Sequence, residues 1–148
     1  MDGETLIILL QIGGLLHVGL LAAGGTMTKT VGLRAHTELL PPFLRRLFWV
    51  YLGFIGLVLA GFGLLTFLFA PAIAQGGGLA RGFCWFLTAF WAARLIVAAF
   101  VFDVRPYLTN WFYRAGYWAT NAVFVYLLVL YGFAAVDGAR WHVSFRCL

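Results

Sequence analysis

One apolar stretch, residues 82–102, constrains what this chain can fold into. Its sequence is GFCWFLTAFWAARLIVAAFVF, and its one charged residue is Arg94. About 20 residues at ~1.5 Å per residue cross a ~30 Å hydrocarbon core, so the stretch predicts a membrane-spanning helix. Arg94 is the anomaly, because a guanidinium keeps its proton and costs about 2.5 to 3.5 kcal/mol at the centre of a spanning helix. It therefore needs a polar partner, a water-filled cavity or an anionic ligand.

Three further stretches are long and apolar enough to cross a membrane. Together the four predict spans at residues 5–24, 47–70, 82–102 and 115–136. Residues 25–46 are rich in charged side chains and end near Pro41-Pro42, so they predict a polar loop. The predicted fold class is all-α: one membrane domain, residues 1–148, built as a bundle of four transmembrane helices. The acidic start, MDGET, favours a retained first span over a cleaved secretory signal.

The composition agrees with a membrane protein. The chain is 64% hydrophobic and 10% charged, whereas soluble domains are about half apolar and about a quarter charged. A net charge of +5 would suggest nucleic acid in a soluble protein, but here the basic residues cluster at helix ends. That pattern indicates topology and contact with lipid headgroups. Membrane lipid is therefore the expected surrounding, and nucleic acid is not an expected partner.

The distribution of basic residues predicts the orientation. The first and third connections carry six lysines and arginines, against three on the opposite side. By the positive-inside rule both connections, including loop 25–46, are predicted to be cytoplasmic, and both termini non-cytoplasmic. Cys84 and Cys147 then fall on the outer side, and whether they form a disulfide stays open.

Small residues recur along the second span. The residues are Gly53, Gly56, Ala60 and Gly63, at steps of three, four and three, which places all four on one face of a helix. Such a stripe lets another helix approach closely, so it predicts helix packing. A flat surface for a planar cofactor or a lipid is the alternative interpretation.

Three polar residues are predicted to share one depth in the bilayer. Counting from the cytoplasmic ends of the spans, His17, Arg94 and Asn121 lie roughly 9 to 12 Å inside the boundary. Tyr117 lies on the same helix face as Asn121 and extends this layer toward the cytoplasm. These four residues are the candidate cofactor-binding set. The alternative is that they hydrogen-bond across helices, or that Arg94 snorkels to the interface, with no ligand involved.

His17 is the one histidine predicted within a span. Gly13 and Gly14 precede it by four and three residues and clear room on its face. A helix-borne histidine beside glycine suits an axial ligand to haem iron. A hydrogen-bonded packing residue is the other interpretation of His17.

Four short segments carry a family resemblance: LLHVGLLAAG in the first span, RAHTE in the loop, FLRRLFWVYLGF at the second span and WAAR in the third. In these, the chain resembles the small four-helix membrane protoporphyrinogen oxidases associated with haem b, and more loosely the copper-resistance D-like membrane proteins. The resemblance implies that His17 is a haem ligand and that Arg94 corresponds to a charged residue in the substrate or cofactor pocket. The third helix carries Arg94 where that family would have lysine, and the fourth span lacks a charged residue near its outer end.

Two classes of function follow. The favoured one is a non-catalytic structural or accessory subunit, either as a homo-oligomer or within a larger membrane complex. The alternative is a haem b- or porphyrin-handling membrane oxidoreductase, in which Arg94 would pair with a propionate and Asn121 would hydrogen-bond. An anion pathway lined by Arg94 would require several chains. The sequence leaves open whether the protein is an enzyme.

Overall fold

The apolar stretches form long helices in the computed structural model of the protein, which describes residues 3–30, 32–100 and 111–144. Within these residues there are helices and no strands. In chain order the helices are α1 (Gly3–Thr30), α2 (Leu33–Glu38), α3 (Pro42–Leu68), α4 (Ala70–Ala74), α5 (Gly78–Phe100) and α6 (Trp111–Ser144). The predicted all-α fold class is thus confirmed.

Four of these helices contain segments long and apolar enough to cross a membrane. The segments are Gly3–Thr26, Pro42–Leu68, Gly78–Phe100 and Arg114–Val136. They match the four predicted spans in number and place, and the protein is a multi-pass integral membrane protein with a four-helix bundle. Residues 101 and 102, the predicted end of the third span, lie outside the described residues.

The region predicted as a loop, residues 25–46, is largely helical. α1 continues to Thr30, and the left-handed backbone of Gly32 (φ 61°) separates it from α2. α3 already begins at Pro42, where a missing N–H is harmless because the first turn has no intrahelical acceptor for it. Pro71 likewise lies in the first turn of α4, so the chain bends at Phe69 and stays helical after it.

The bundle is built from two tightly packed helix pairs, α1 with α3 and α5 with α6. α1 also packs on α6 and joins the pairs. The aromatic ring of Phe62 on α3 adds edge contacts to three phenylalanines of α5. The buried core contains, among others, Leu10, Leu87, Trp91, Leu127 and Tyr131.

α1 and α3 approach each other most closely at two glycines. A Cβ on Gly63 would lie 2.8 Å from the Cβ of His17 and 2.9 Å from the carbonyl oxygen of Gly14. A Cβ on Gly14 would in turn lie 2.8 Å from the carbonyl oxygen of Gly63. Only glycine fits both positions without moving backbone, so this contact determines how near the two helices lie.

The small-residue stripe of the second span meets α1 most closely at Gly63. Gly63 is buried against α1, and a Cβ on Gly56 would be 3.8 Å from Leu21. Gly53 has no atom within 4 Å of such a Cβ, and Ala60 is exposed. The stripe therefore does not act as one continuous contact surface, because the approach of α1 is closest at Gly63 and opens toward Gly53.

Candidate functional site

His17 lies at the centre of the bundle and has no exposed surface. Its Nδ1–H donates a hydrogen bond to the carbonyl oxygen of Gly13, one turn earlier in α1, at 2.8 Å. In a neutral imidazole this leaves the lone pair on Nε2. Nε2 is buried and has no hydrogen-bond partner among the residues that the structure describes.

The indole of Trp91, on α5, lies beside this imidazole. The two ring centroids are 5.3 Å apart and the planes meet at 70°, an edge-to-face arrangement. The Nε1–H of Trp91 is also buried without a partner in the described part of the chain. One ring therefore offers an unused acceptor and its neighbour an unused donor.

A hydrogen bond between α3 and α6 borders the same region. The hydroxyls of Thr66 and Tyr131 lie 2.8 Å apart, and both residues are fully buried. The ring of Tyr131 is 6.2 Å from that of His17. We call His17, Thr66, Trp91 and Tyr131 the central polar cluster, since it takes one residue from each spanning helix.

Of this cluster, only His17 is predicted from the sequence; Thr66, Trp91 and Tyr131 are not. Threonine, tryptophan and tyrosine are ordinary residues of membrane helices, where they pack or lie at the interfaces. Their depth could be counted from the span ends. The side of each helix that faces the bundle interior could not be derived from that count.

The packing around His17 does not accommodate a haem. The chemistry of Nε2 suits an iron ligand, since Nδ1 is already bound to backbone. The room that Gly13 and Gly14 were expected to clear is filled, however: Gly13 abuts Leu130 of α6, and Gly14 abuts the α3 backbone at Gly63. Trp91 borders another side of the imidazole. A planar macrocycle would have to separate the helices to reach Nε2.

No metal-binding group forms elsewhere in the described part of the chain. Among those residues there is no cluster of three or more histidine, cysteine, aspartate or glutamate side chains. Cys84 is a buried free thiol, and Cys147 lies outside the described residues.

Arg94 lies on the outer surface of the bundle. The residue is exposed, and its guanidinium carbon is 5.6 Å from the centroid of the Phe124 ring on α6. Phe124 in turn packs on Trp91, with centroids 5.2 Å apart. Two aromatic rings thus separate Arg94 from His17, and the two predicted site residues do not meet.

Asn121 and Tyr117 belong to the Arg94 side of this arrangement. The Asn121 side-chain amide donates to the carbonyl oxygen of Tyr117 in its own helix, at 2.9 Å. Asn121 precedes Phe124 by three residues, which places the two on neighbouring positions of one helix face. The α6 ring in contact with His17 is that of Tyr131, ten residues from Asn121 and about 15 Å along the axis. The predicted layer is therefore divided, with His17 inside the bundle and Arg94 outside it.

Comparison with known proteins identifies no relative of this chain. No protein-family model, no curated protein and no solved structure matches the chain. The resemblance to the haem-associated family stays a prediction from short segments.

Proposed function

We propose that this protein is a non-catalytic subunit of a larger membrane complex, and that the outer face of α5 around Arg94 contacts a neighbouring subunit. The observation that carries the proposal is the position of Arg94. Its guanidinium lies on the outer surface of the bundle at a depth where a bilayer offers hydrocarbon.

The depth of Arg94 in the membrane can be counted along α5 and along the neighbouring α6. Arg94 lies six residues before Phe100, the last residue of α5, so about 9 Å from that helix end. Its guanidinium lies against Phe124, which is ten residues beyond the start of the fourth span at Arg114, or about 15 Å. The side chain thus leans toward the start of its own helix, as helical side chains do, and away from the nearer membrane surface.

The contact with Phe124 offsets only part of the free energy that is needed to place the Arg94 guanidinium at this depth. An arginine at the centre of a spanning helix costs about 2.5 to 3.5 kcal/mol, and a cation–π contact returns about 0.5 to 2 kcal/mol. Among the described residues, no hydrogen-bond acceptor and no carboxylate is within reach of the guanidinium. In the proposed complex, an anionic or polar group of the neighbouring subunit supplies the rest.

The chemistry of the chain favours a different protein over a second copy as that partner. The acidic residues lie at the ends of the spans or between them: Asp2, Glu4, Glu38, Asp103 and Asp137. A second copy would therefore bring no carboxylate to the depth of Arg94. The expected partner is a membrane protein with an aspartate or glutamate in a spanning helix, which makes the complex hetero-oligomeric.

Photo-crosslinking from the Arg94 face, in native membranes, tests the proposal. A crosslinking amino acid replaces Ala98, which is partly exposed and lies four residues after Arg94 on the same face of α5. In a matched control it replaces Val129, which is 63% exposed on α6. We expect one membrane protein to be captured from position 98 and not from 129, through a peptide that contains an intramembrane acid. Arg94→Lys should preserve the capture, and Arg94→Leu should reduce it at least tenfold with unchanged expression and thermal stability.

Three outcomes would contradict the proposal. Capture that is equal from both positions would mean that the Arg94 face is not special. Capture of this chain alone would replace the hetero-complex with a homo-oligomer. Capture unaffected by Arg94→Leu would mean that the charge does not take part in the contact.

A second candidate function is a haem b- or porphyrin-handling oxidoreductase. The observation in its favour is the buried, unpartnered Nε2 of His17. The close packing of Gly14 and Gly63 beside it counts against it. An absorption spectrum of the purified protein separates the two candidates, because only the second requires a pigment.

A further inference from the structure

The surface of the bundle has an open cleft where α2 meets the first three turns of α3. Its volume is about 530 Å³. Its lining comes from both helices: Arg34, Thr37, Glu38, Arg45, Arg46, Trp49 and Val50. The cleft is remote from the central polar cluster, which lies near the other end of α3 at Gly63 and Thr66.

The charge of the cleft is strongly positive. Three arginines line it against one carboxylate, Glu38. Within the described part of the chain, no carboxylate is within 4.0 Å of these guanidinium groups, and none of the three side chains has a hydrogen-bond partner. Three guanidinium groups therefore line one cleft without a partner among the described residues.

Two of the arginines also lie where an α-helix disfavours positive charge. Arg45 and Arg46 belong to the first turns of α3, the positive end of its helix dipole. A bound anion would offset both the mutual repulsion of the arginines and their repulsion from the dipole. The planar guanidinium fork matches the oxygens of a phosphate group, so phosphate is the anion that this set of donors fits best.

The cleft also has an apolar side that a soluble anion would not need. Trp49 and Val50 line it and are 39% and 54% exposed. They lie seven and eight residues into a span that begins at Pro42, so about 10 to 12 Å along it. The arginines near the helix start and the apolar pair deeper in the span follow the order of a lipid, with the headgroup first and the acyl chain second.

We propose that this cleft binds an anionic phospholipid, with its phosphate held by Arg34, Arg45 and Arg46 and its acyl region against Trp49 and Val50. The same phosphate chemistry could serve a soluble ligand. The exposed apolar wall within the span favours the lipid.

Native mass spectrometry of the protein in a mild non-ionic detergent tests this site. The probes are palmitoyl-oleoyl phosphatidylglycerol and, with identical chains, phosphatidylcholine. We expect the first bound phosphatidylglycerol to bind more tightly than phosphatidylcholine, and each Arg→Gln change at 34, 45 or 46 to weaken it about fivefold. Arg114→Gln is the matched control, since Arg114 is an exposed arginine on the same side of the membrane but outside the cleft. It should leave the binding unchanged.

Further measurements separate a loss of binding from a loss of folding, and a lipid ligand from a soluble phosphate. Arg45→Lys keeps the charge and should retain most of the binding, and Arg34→Gln lies outside the spans, so it should not disturb the bundle. An excess of inorganic phosphate should not displace the lipid.

The proposal is overturned if the two lipids bind equally or if Arg114→Gln weakens binding as much as the cleft variants do. Displacement by inorganic phosphate would assign the cleft to a soluble phosphate-bearing ligand.

Discussion

The imidazole of His17 has two nitrogens in different situations. Nδ1 is bound within its own helix, and Nε2 is buried without a partner among the described residues. A buried polar group without a partner costs about 1 to 3 kcal/mol. The Nε1–H of Trp91 adds a second such group at the same place. The interior of this bundle is therefore less stable at His17 than an apolar side chain of similar volume would make it.

The unpartnered Nε2 of His17 predicts the effect of the substitution His17→Leu on stability. We expect the midpoint of thermal unfolding in detergent to stay unchanged or rise, because the substitution removes an unsatisfied group and keeps the volume. His17→Ala is the control; it should lower stability by roughly 2 kcal/mol or more, because it leaves a cavity. The wild-type protein, expressed with ample haem, should show no Soret band. A Soret band that His17→Leu abolishes would instead make the haem-binding function the leading one.

Single residues also show how far the sequence could predict the site. His17 and Arg94 were identifiable because a histidine and a lone arginine are conspicuous in apolar spans. That Trp91 and Phe124 separate them depends on which way each helix is turned about its axis. Equal depth can be counted from a helix end, but the rotation of neighbouring helices is determined by packing across the whole bundle.

At the level of the helices, the contact between α1 and α3 depends on the close approach of their backbones at Gly14 and Gly63. The carbonyl oxygen of Gly14 lies 2.9 Å from the position that a Cβ of Gly63 would take, and the carbonyl oxygen of Gly63 lies 2.8 Å from that of a Cβ on Gly14. Residue spacing correctly grouped small residues on one span, but it could not locate the crossing point. The crossing point depends on α1, where Gly13 and Gly14 predict room for a cofactor but the structure has helix contacts instead.

Gly63→Ala is predicted to be much more damaging than Gly53→Ala. The added Cβ at 63 would meet the Cβ of His17 at 2.8 Å and a backbone oxygen at 2.9 Å, so α1 has to move. We expect a loss of about 1 to 3 kcal/mol in the free energy of unfolding. At Gly53 nothing lies within 4 Å, and alanine should be neutral or stabilise α3 by up to about 1 kcal/mol. Unfolding in mixed detergent micelles measures both, and equal losses would show that the two helices do not meet at Gly63.

For the whole molecule, hydropathy and length were sufficient to predict the fold class and the number of spans. The bilayer is the reason: it requires each apolar stretch to satisfy its backbone internally, and a helix does so. The polar region 25–46 was less predictable. It is too polar for the hydropathy argument to apply, and the short helix α2 forms there beside the start of α3.

The orientation of the molecule is testable with two exposed leucines. Leu39, between α2 and α3, and Leu79, at the start of α5, are 86% and 92% exposed. One span, α3, separates them, so they lie on opposite sides of the membrane. In a background of Cys84→Ala and Cys147→Ser, a membrane-impermeant maleimide should label Leu79→Cys in intact cells and Leu39→Cys only after permeabilisation.

The physical reason is the excess of lysine and arginine on the side of Leu39, which the positive-inside rule assigns to the cytoplasm. The same side carries the cleft of Arg34, Arg45 and Arg46, and cytoplasmic leaflets are the ones that carry anionic lipid. Labelling in the reverse order would contradict the predicted orientation. It would also place the cleft on the non-cytoplasmic side, so this experiment bears on the topology and on the supply of lipid to the cleft together.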